Sequence, residues 1–202
     1  MREAIRHLTA ADPVLSRIIE RVGPYRMQFR EPNFDTLVRS IVYQQLSGKV
    51  AKVIFDRLAM AAVAGASLTP DGVLKLRPTR MRALGLSRQK TAYIRDLARL
   101  TRNGQVAFES LPGLSDQQVI DQLTQVKGIG VWTAHMFLMF ALRRLDVLPV
   151  GDLGIRVAVR KAYGLDETPR PADVAALGER WRPYATVASW YLWRSLETDA
   201  NL

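Results

Sequence analysis

Helix punctuation, repeated from one end of the chain to the other, is the feature that most limits its fold. Apolar residues recur at spacings of three and four, and most runs open on a capping residue or a proline. Asp12-Pro13 opens a helix to about Val22, with proline at the first helical position, where its missing N–H is no loss. Residues Asn33 to Leu46 carry Phe34, Leu37, Val38, Ile41 and Val42 on one stripe. Another helix is expected from Ser47 to about Ala64. Thr69-Pro70 and Arg77-Pro78 begin two short ones, and Ser87 caps a longer one to Arg102, closed by Asn103-Gly104. Ser115 and Gln118 make a capping box for a helix ending near Thr124. Further helices are expected at Trp132–Arg143, Leu153–Tyr163 with Gly164 behind it, Ala172–Arg180 and Tyr184–Glu197. No segment alternates as a strand would. About ten short helices joined by short loops predict an all-α globule rather than a bundle of long rods. The 104–115 stretch is the expected hinge between two lobes, 33–114 and 115–202, with residues 1–32 packed on one of them.

Charge narrows the partner. The chain has 29 Lys and Arg against 19 Asp and Glu, a net charge of +10. That excess suits a polyanion, with nucleic acid the first candidate and an anionic membrane surface the second. No apolar run reaches the ~18 residues of a membrane-spanning helix. The first residues, Met1 to Arg6, lack the apolar stretch of a signal peptide, so a soluble, cytoplasmic protein is expected. The absence of cysteine excludes disulfides, thiolate zinc sites and iron–sulfur clusters. Two histidines, His7 and His135, cannot supply a zinc triad.

Two segments carry chemistry. In the first, Leu123 to Ala134, one helix ends near Thr124, a tight turn holds Gly128 and Gly130, and a second helix begins near Val131. Two glycines so placed let the backbone approach a partner and leave the N–H groups of the next helix pointing outward, which makes an anion site. A plain turn between helices would use the same glycines. Lys127 beside them, in a basic chain, favours phosphate. In the second segment, Leu148 to Arg156, Pro149 and Gly151 force a turn and Asp152 stands where the next helix starts. Asp152 is an N-cap by position. A helix N-terminus also fixes a carboxylate and favours its negative charge, as stabilising a developing cation requires, so the two roles are compatible.

This pairing of segments resembles the helix-hairpin-helix DNA glycosylase superfamily, whose signature is a Gly-Ile-Gly hairpin turn followed by a Gly/Pro-rich loop and a required Asp. The hairpin here is Val126–Ala134 and the loop Pro149–Asp152, which puts Asp152 at the catalytic position. Within the superfamily the chain is similar to the alkylpurine branch, of 3-methyladenine DNA glycosylase II type, from about Phe34 to Trp193. Bifunctional members carry a lysine two residues past the last hairpin glycine. Trp132 stands there, which implies hydrolysis without strand cleavage.

The resemblance implies further roles. Gln45, with Gln44 beside it, matches the residue inserted in place of a flipped nucleotide. Trp132, Trp193 and Met136 would line the base pocket; Met136 replaces a position that can be aromatic in relatives, which leaves selectivity open. Lys127, Gly128, Gly130 and Thr133 would meet phosphate. Arg88 and Lys90 lie in a family-like loop where phosphate contact and solvated surface charge are both open readings. Main-chain carbonyls of Thr124, Val126 and Ile129 would hold a structural sodium or potassium ion. No cofactor is implied for catalysis. The implied partner is double-stranded DNA with alkylated bases, bound by a monomer in base excision repair. The implied substrates are 3-methyladenine, with 7-methylguanine and etheno adducts as further candidates. A glycosylase for oxidised or deaminated bases and a binding-only helix-hairpin-helix module are the alternatives. Asp146, near the loop, is a second acid that spacing alone does not set aside. The extra N-terminal sheet domain of larger relatives is expected to be missing, which would leave a more open site.

Overall fold

The computed structural model describes residues 1–62 and 67–199, with side chains to residue 197. The all-α expectation holds: among the described residues there are twelve α-helices, two single 3-10 turns and no strand. The capping signals act where the sequence puts them. Asp12 accepts from the Val14 and Leu15 amides ahead of α2 (Pro13–Val22). Asn33 caps α3 (Phe34–Tyr43), Thr69 caps α5 (Pro70–Lys75) and Ser87 caps α7 (Arg88–Arg102). Both halves of the Ser115–Gln118 capping box are present before α8 (Asp116–Thr124). Gly164 closes α10 (Leu153–Tyr163) in the left-handed region that glycine adopts without strain.

One correction concerns the N-terminus. Residues Arg2–Ala11 form α1, where no helix was expected; no side chain caps it, so its start carries no local signal. The helix α4 spans Gly48–Ala62, and its expected end near Ala64 lies outside the described residues. The remaining helices are α6 (Pro78–Ala83), α9 (Val131–Phe140), α11 (Pro171–Gly178) and α12 (Ala185–Asp199).

The chain forms two compact units, one of residues 1–29 with 143–202 and one of residues 30–142. The 104–115 stretch is therefore not a boundary but lies inside the second unit. Its side chains explain why: Val106 and Leu111 are fully buried, and Phe108 meets the rings of Phe34 and Phe137. The Gln122 side chain also accepts from the Ala107 amide at 3.2 Å. A segment anchored this way cannot serve as a free linker. In the second unit α7 packs on α3, α5 and α6, and α8 on α9. Leu37, Val38, Ile41, Ile94, Leu97 and Leu123 are shut off from water, each burial contributing about 1.5–3 kcal/mol before conformational entropy is charged against it.

In the first unit α12 packs on α2 and α10, with α1 against α2. Trp181 and Tyr191 fill its centre, and Tyr191 donates to the Gly23 carbonyl at 3.0 Å. Trp190 and Tyr191 are thereby core residues. Asp12 is wholly buried and accepts from Trp181 Nε1 at 2.9 Å and from the Tyr163 hydroxyl, besides its two capping amides. Burial pushes its carboxyl up, but bonds from Tyr163, Trp181, Leu15 and Val14 together outweigh that and hold it below the ordinary 3.8.

Candidate active site

Within the second unit the end of α3 is pinned to the hairpin. Lys90, in the first turn of α7, donates from Nζ to the carbonyls of Val42 at 2.7 Å and Gln44 at 2.6 Å. These are backbone acceptors where α3 stops. Burial pulls the Lys90 ammonium below its ordinary value, and its role is internal rather than solvated surface charge. Gln44 donates from Nε2 to the Gly128 carbonyl at 2.9 Å, so its amide is committed to the hairpin. Gln45 follows with φ +57°, a left-handed backbone that a side-chain-bearing residue adopts only when its surroundings impose it. Its side chain is exposed. Of the two amides, Gln45 is the one presented outward.

The two hairpin glycines differ in what requires them. Gly128 has φ +84°, and a Cβ there would lie 2.1 Å from the Tyr93 ring. Gly130 is the N-cap of α9 with an extended backbone, and a Cβ would meet nothing within 4 Å. The first is fixed by packing and the second lies open. No side chain caps α9, whose exposed N-terminus begins at Val131 and Trp132. The Lys127 amide donates to Asp96 Oδ2 at 3.0 Å while its side chain is exposed. Thr133 is largely buried and lines a cavity beside the hairpin.

The carbonyls of Thr124 and Ile129 accept no hydrogen bond among those described, and that of Val126 accepts one, from the Ile129 amide at 3.0 Å. Three oxygens with spare lone pairs suit a hard monovalent cation. Among the described residues no group of three His, Cys, Asp or Glu could hold a metal.

Around the α3 end lies a cavity of about 860 Å³ lined by Tyr43, Gln45, Leu46, Tyr93, Trp132 and Met136. Trp132, on the wall of this cavity, is 51% exposed, which is unusual for an indole. Tyr43 and Tyr93 were not singled out from the sequence; only the long-range packing of α3, α7 and the hairpin brings them to the same wall.

Asp152 belongs to the first unit. It caps α10, accepting at Oδ1 from the Ile155 amide at 2.8 Å and from Trp193 Nε1 at 2.9 Å. Trp193 is thus placed as the residue that orients the carboxylate. Gly154 is what allows this: a Cβ there would sit 3.0 Å from Asp152 Oδ1 and 3.1 Å from the Trp193 ring. Asp146 is occupied otherwise, pairing with Arg182 at 2.9 Å and accepting from the Ala185 amide at 3.3 Å, which fastens the start of α12.

Known proteins resemble this chain along most of its length. A family described as "HhH-GPD superfamily base excision DNA repair protein" matches residues 38–183. The DNA-3-methyladenine glycosylase 1 of Schizosaccharomyces pombe is 36% identical, over 94% of this chain and 85% of its own. A solved 3-methyladenine DNA glycosylase from Schizosaccharomyces pombe, in complex with abasic DNA, superposes with a TM-score of 0.85 at 36% identity, covering 96% of this chain and 97% of that one. The DNA-3-methyladenine glycosidase from Bacillus halodurans gives a TM-score of 0.89 at 38% identity, covering 98% and 91%. The chain belongs to the HhH-GPD superfamily of base excision DNA repair proteins.

Proposed function

We propose that the protein is a monofunctional DNA glycosylase that removes alkylated purines, 3-methyladenine foremost, by hydrolysing the N-glycosidic bond. The observation that carries this is the fixed carboxylate of Asp152, held at a helix N-terminus by Ile155 N–H and Trp193 Nε1 in a chain of this family. DNA as the partner is supported by the relative solved on abasic DNA.

A base inside the duplex stack is out of reach, so the nucleotide is extruded at a cost of a few kcal/mol, least for a damaged base. Gln45, exposed and set in a left-handed turn, fills the gap. Hairpin amides near Gly130 take the adjacent phosphate, with Lys127 adding charge. The carbonyls of Thr124, Val126 and Ile129 would hold a sodium or potassium ion, which when bound adds positive charge beside that phosphate. Alkylation at a ring nitrogen makes the purine a cation and a ready leaving group. Trp132 attracts that cation through its ring face, at about 0.5–2 kcal/mol, and Met136 adapts to its shape. As the bond breaks the sugar becomes cationic, and Asp152 stabilises that charge and orients the incoming water. Trp132 has no amine to attack the sugar, so the product is an abasic site and the strand stays whole.

The test is base release from methylated duplex DNA by wild type and Asp152→Asn, with freed bases identified by mass and strand breaks followed on a gel. Wild type should release 3-methyladenine without strand breaks, and Asp152→Asn should bind the duplex but release at least about 100-fold less. Equal release by both proteins would overturn the role of Asp152. Strand cleavage by wild type would overturn the monofunctional assignment.

A further inference from the structure

A second cavity in the 30–142 unit, of about 510 Å³, is lined by basic side chains that, Lys127 apart, the glycosylase chemistry does not use. Arg88, Arg95 and Arg99 fall on one stripe of α7 at helical spacing, Arg82 comes from α6, and Lys127 closes the side nearest the hairpin. Two of these side chains are already held in place. Arg95 donates from Nη1 to the carbonyls of Leu76 at 2.7 Å and Leu74 at 3.3 Å, and Arg99 pairs with Asp96 at 3.0 Å. The carboxylate of Asp96 is turned to its own partners, Oδ1 to Arg99 and Oδ2 to the Lys127 amide.

An independent observation points to an oxyanion. Thr91 lies on the same stripe and lines the same cavity, is only 4% exposed, and its Oγ1 has no hydrogen-bond partner. A buried hydroxyl without a partner destabilises the fold unless a ligand satisfies it. A hydroxyl donor in a cavity lined by arginines matches the acceptors and the charge of a phosphate.

We propose that this cavity is a phosphate-binding site, in which the Thr91 hydroxyl and the guanidinium groups of Arg82, Arg88 and Arg95 take the oxygens of one phosphate. Lys127 connects the cavity to the hairpin, so a phosphate of the duplex flank is one source of the ligand and a free phosphate ester the other. The duplex source rests on the reading of the chain as a DNA enzyme; the site itself does not.

Two variants test it, Thr91→Val, which keeps the shape and removes the hydroxyl, and the surface pair Arg82→Gln with Arg88→Gln. Thr91→Val should melt at or above the wild-type temperature, since it deletes an unsatisfied group. Duplex affinity is measured against sodium chloride concentration. If the ligand is a backbone phosphate, the arginine pair lowers the slope of log affinity on log salt by about 0.9, and Thr91→Val weakens binding roughly five- to tenfold at fixed salt. In a second arm inorganic phosphate is titrated while the Thr91 amide resonance is followed. A shift in wild type that both variants abolish, with the duplex slope unchanged, assigns the site to free phosphate esters. No change in either arm for either variant, or a phosphate response equal in variants and wild type, overturns the site. Base release by wild type is scored separately: its failure beside an altered salt slope would strike the proposed activity and leave this site standing.

Discussion

Gly128 and Gly130 sit two apart in one turn, yet different forces act on them. At Gly128 a methyl group meets both a positive φ and the Tyr93 ring. Gly128→Ala should therefore lower unfolding free energy by about 2–4 kcal/mol. At Gly130 nothing opposes a methyl group, and the loss is confined to exchanging glycine for alanine at an N-cap, no more than about 1 kcal/mol. Urea unfolding separates the two. Duplex binding supplies the complementary contrast, because a Cβ at Gly130 stands where a phosphate would approach the α9 amides: Gly130→Ala should bind several-fold more weakly while nearly as stable as wild type. Equal destabilisation by both substitutions would show that the turn, not Tyr93, sets the requirement. Sequence reading marked both glycines for phosphate. It could not divide their roles, because Tyr93 lies 35 residues away along the chain and reaches the turn only through tertiary packing. At Gly154 part of the constraint is likewise distant in sequence, since a Cβ there meets the Trp193 ring as well as Asp152 Oδ1.

Helix ends were legible wherever a side chain caps its own helix, as with Asp12, Asn33, Ser87, Ser115 and Asp152, because the accepting side chain and the amide that donates to it lie within three residues. They were not legible where the cap comes from elsewhere. The apolar stripe of α3 invites extension to Leu46, but the helix stops at Tyr43 because Lys90 takes the carbonyls of Val42 and Gln44 and Gln45 turns left-handed. An ammonium on two terminal carbonyls acts as a C-cap in trans, and it makes Lys90 a positioning residue for Gln45. Lys90→Met leaves both carbonyls without this donor and should cost about 2–3 kcal/mol. If positioning is its role, the fluorescence signal of base extrusion, from 2-aminopurine in the duplex, should fall by at least about tenfold in equilibrium constant, with duplex affinity changed far less. A variant that is less stable but extrudes the base normally would reduce Lys90 to a purely structural cap.

Across the whole molecule the division into units follows long-range packing, which short-range sequence patterns do not report. The Gly- and Pro-bearing stretch at 104–115 reads as a linker by composition, but Phe108 and Leu111 bury it. Residues 1–29 belong to the first unit, where α2 packs on α12. Asp12 is the polar bond in that closure, joining residue 12 to Tyr163 and Trp181. Asp12→Ala removes the α2 cap and takes the acceptor from the buried Trp181 Nε1 and the half-buried Tyr163 hydroxyl, and should cost about 3–5 kcal/mol. The same carboxylate gives the fold a pH dependence of defined sign. Its folded value lies below the 3.8 of an ordinary aspartate, so between the two values the unfolded chain binds more protons and stability rises with pH. The contribution is complete above the unfolded value and is lost as pH falls through the folded one. Burial, and then the bond to Asp12, raises the Tyr163 hydroxyl, which stays a proton donor throughout. Urea unfolding of wild type and Asp12→Ala at a series of pH values checks this: the gap between them should be constant near neutrality and narrow below about pH 4. A gap that is independent of pH down to the acid transition would mean that Asp12 holds the first unit together by shape alone.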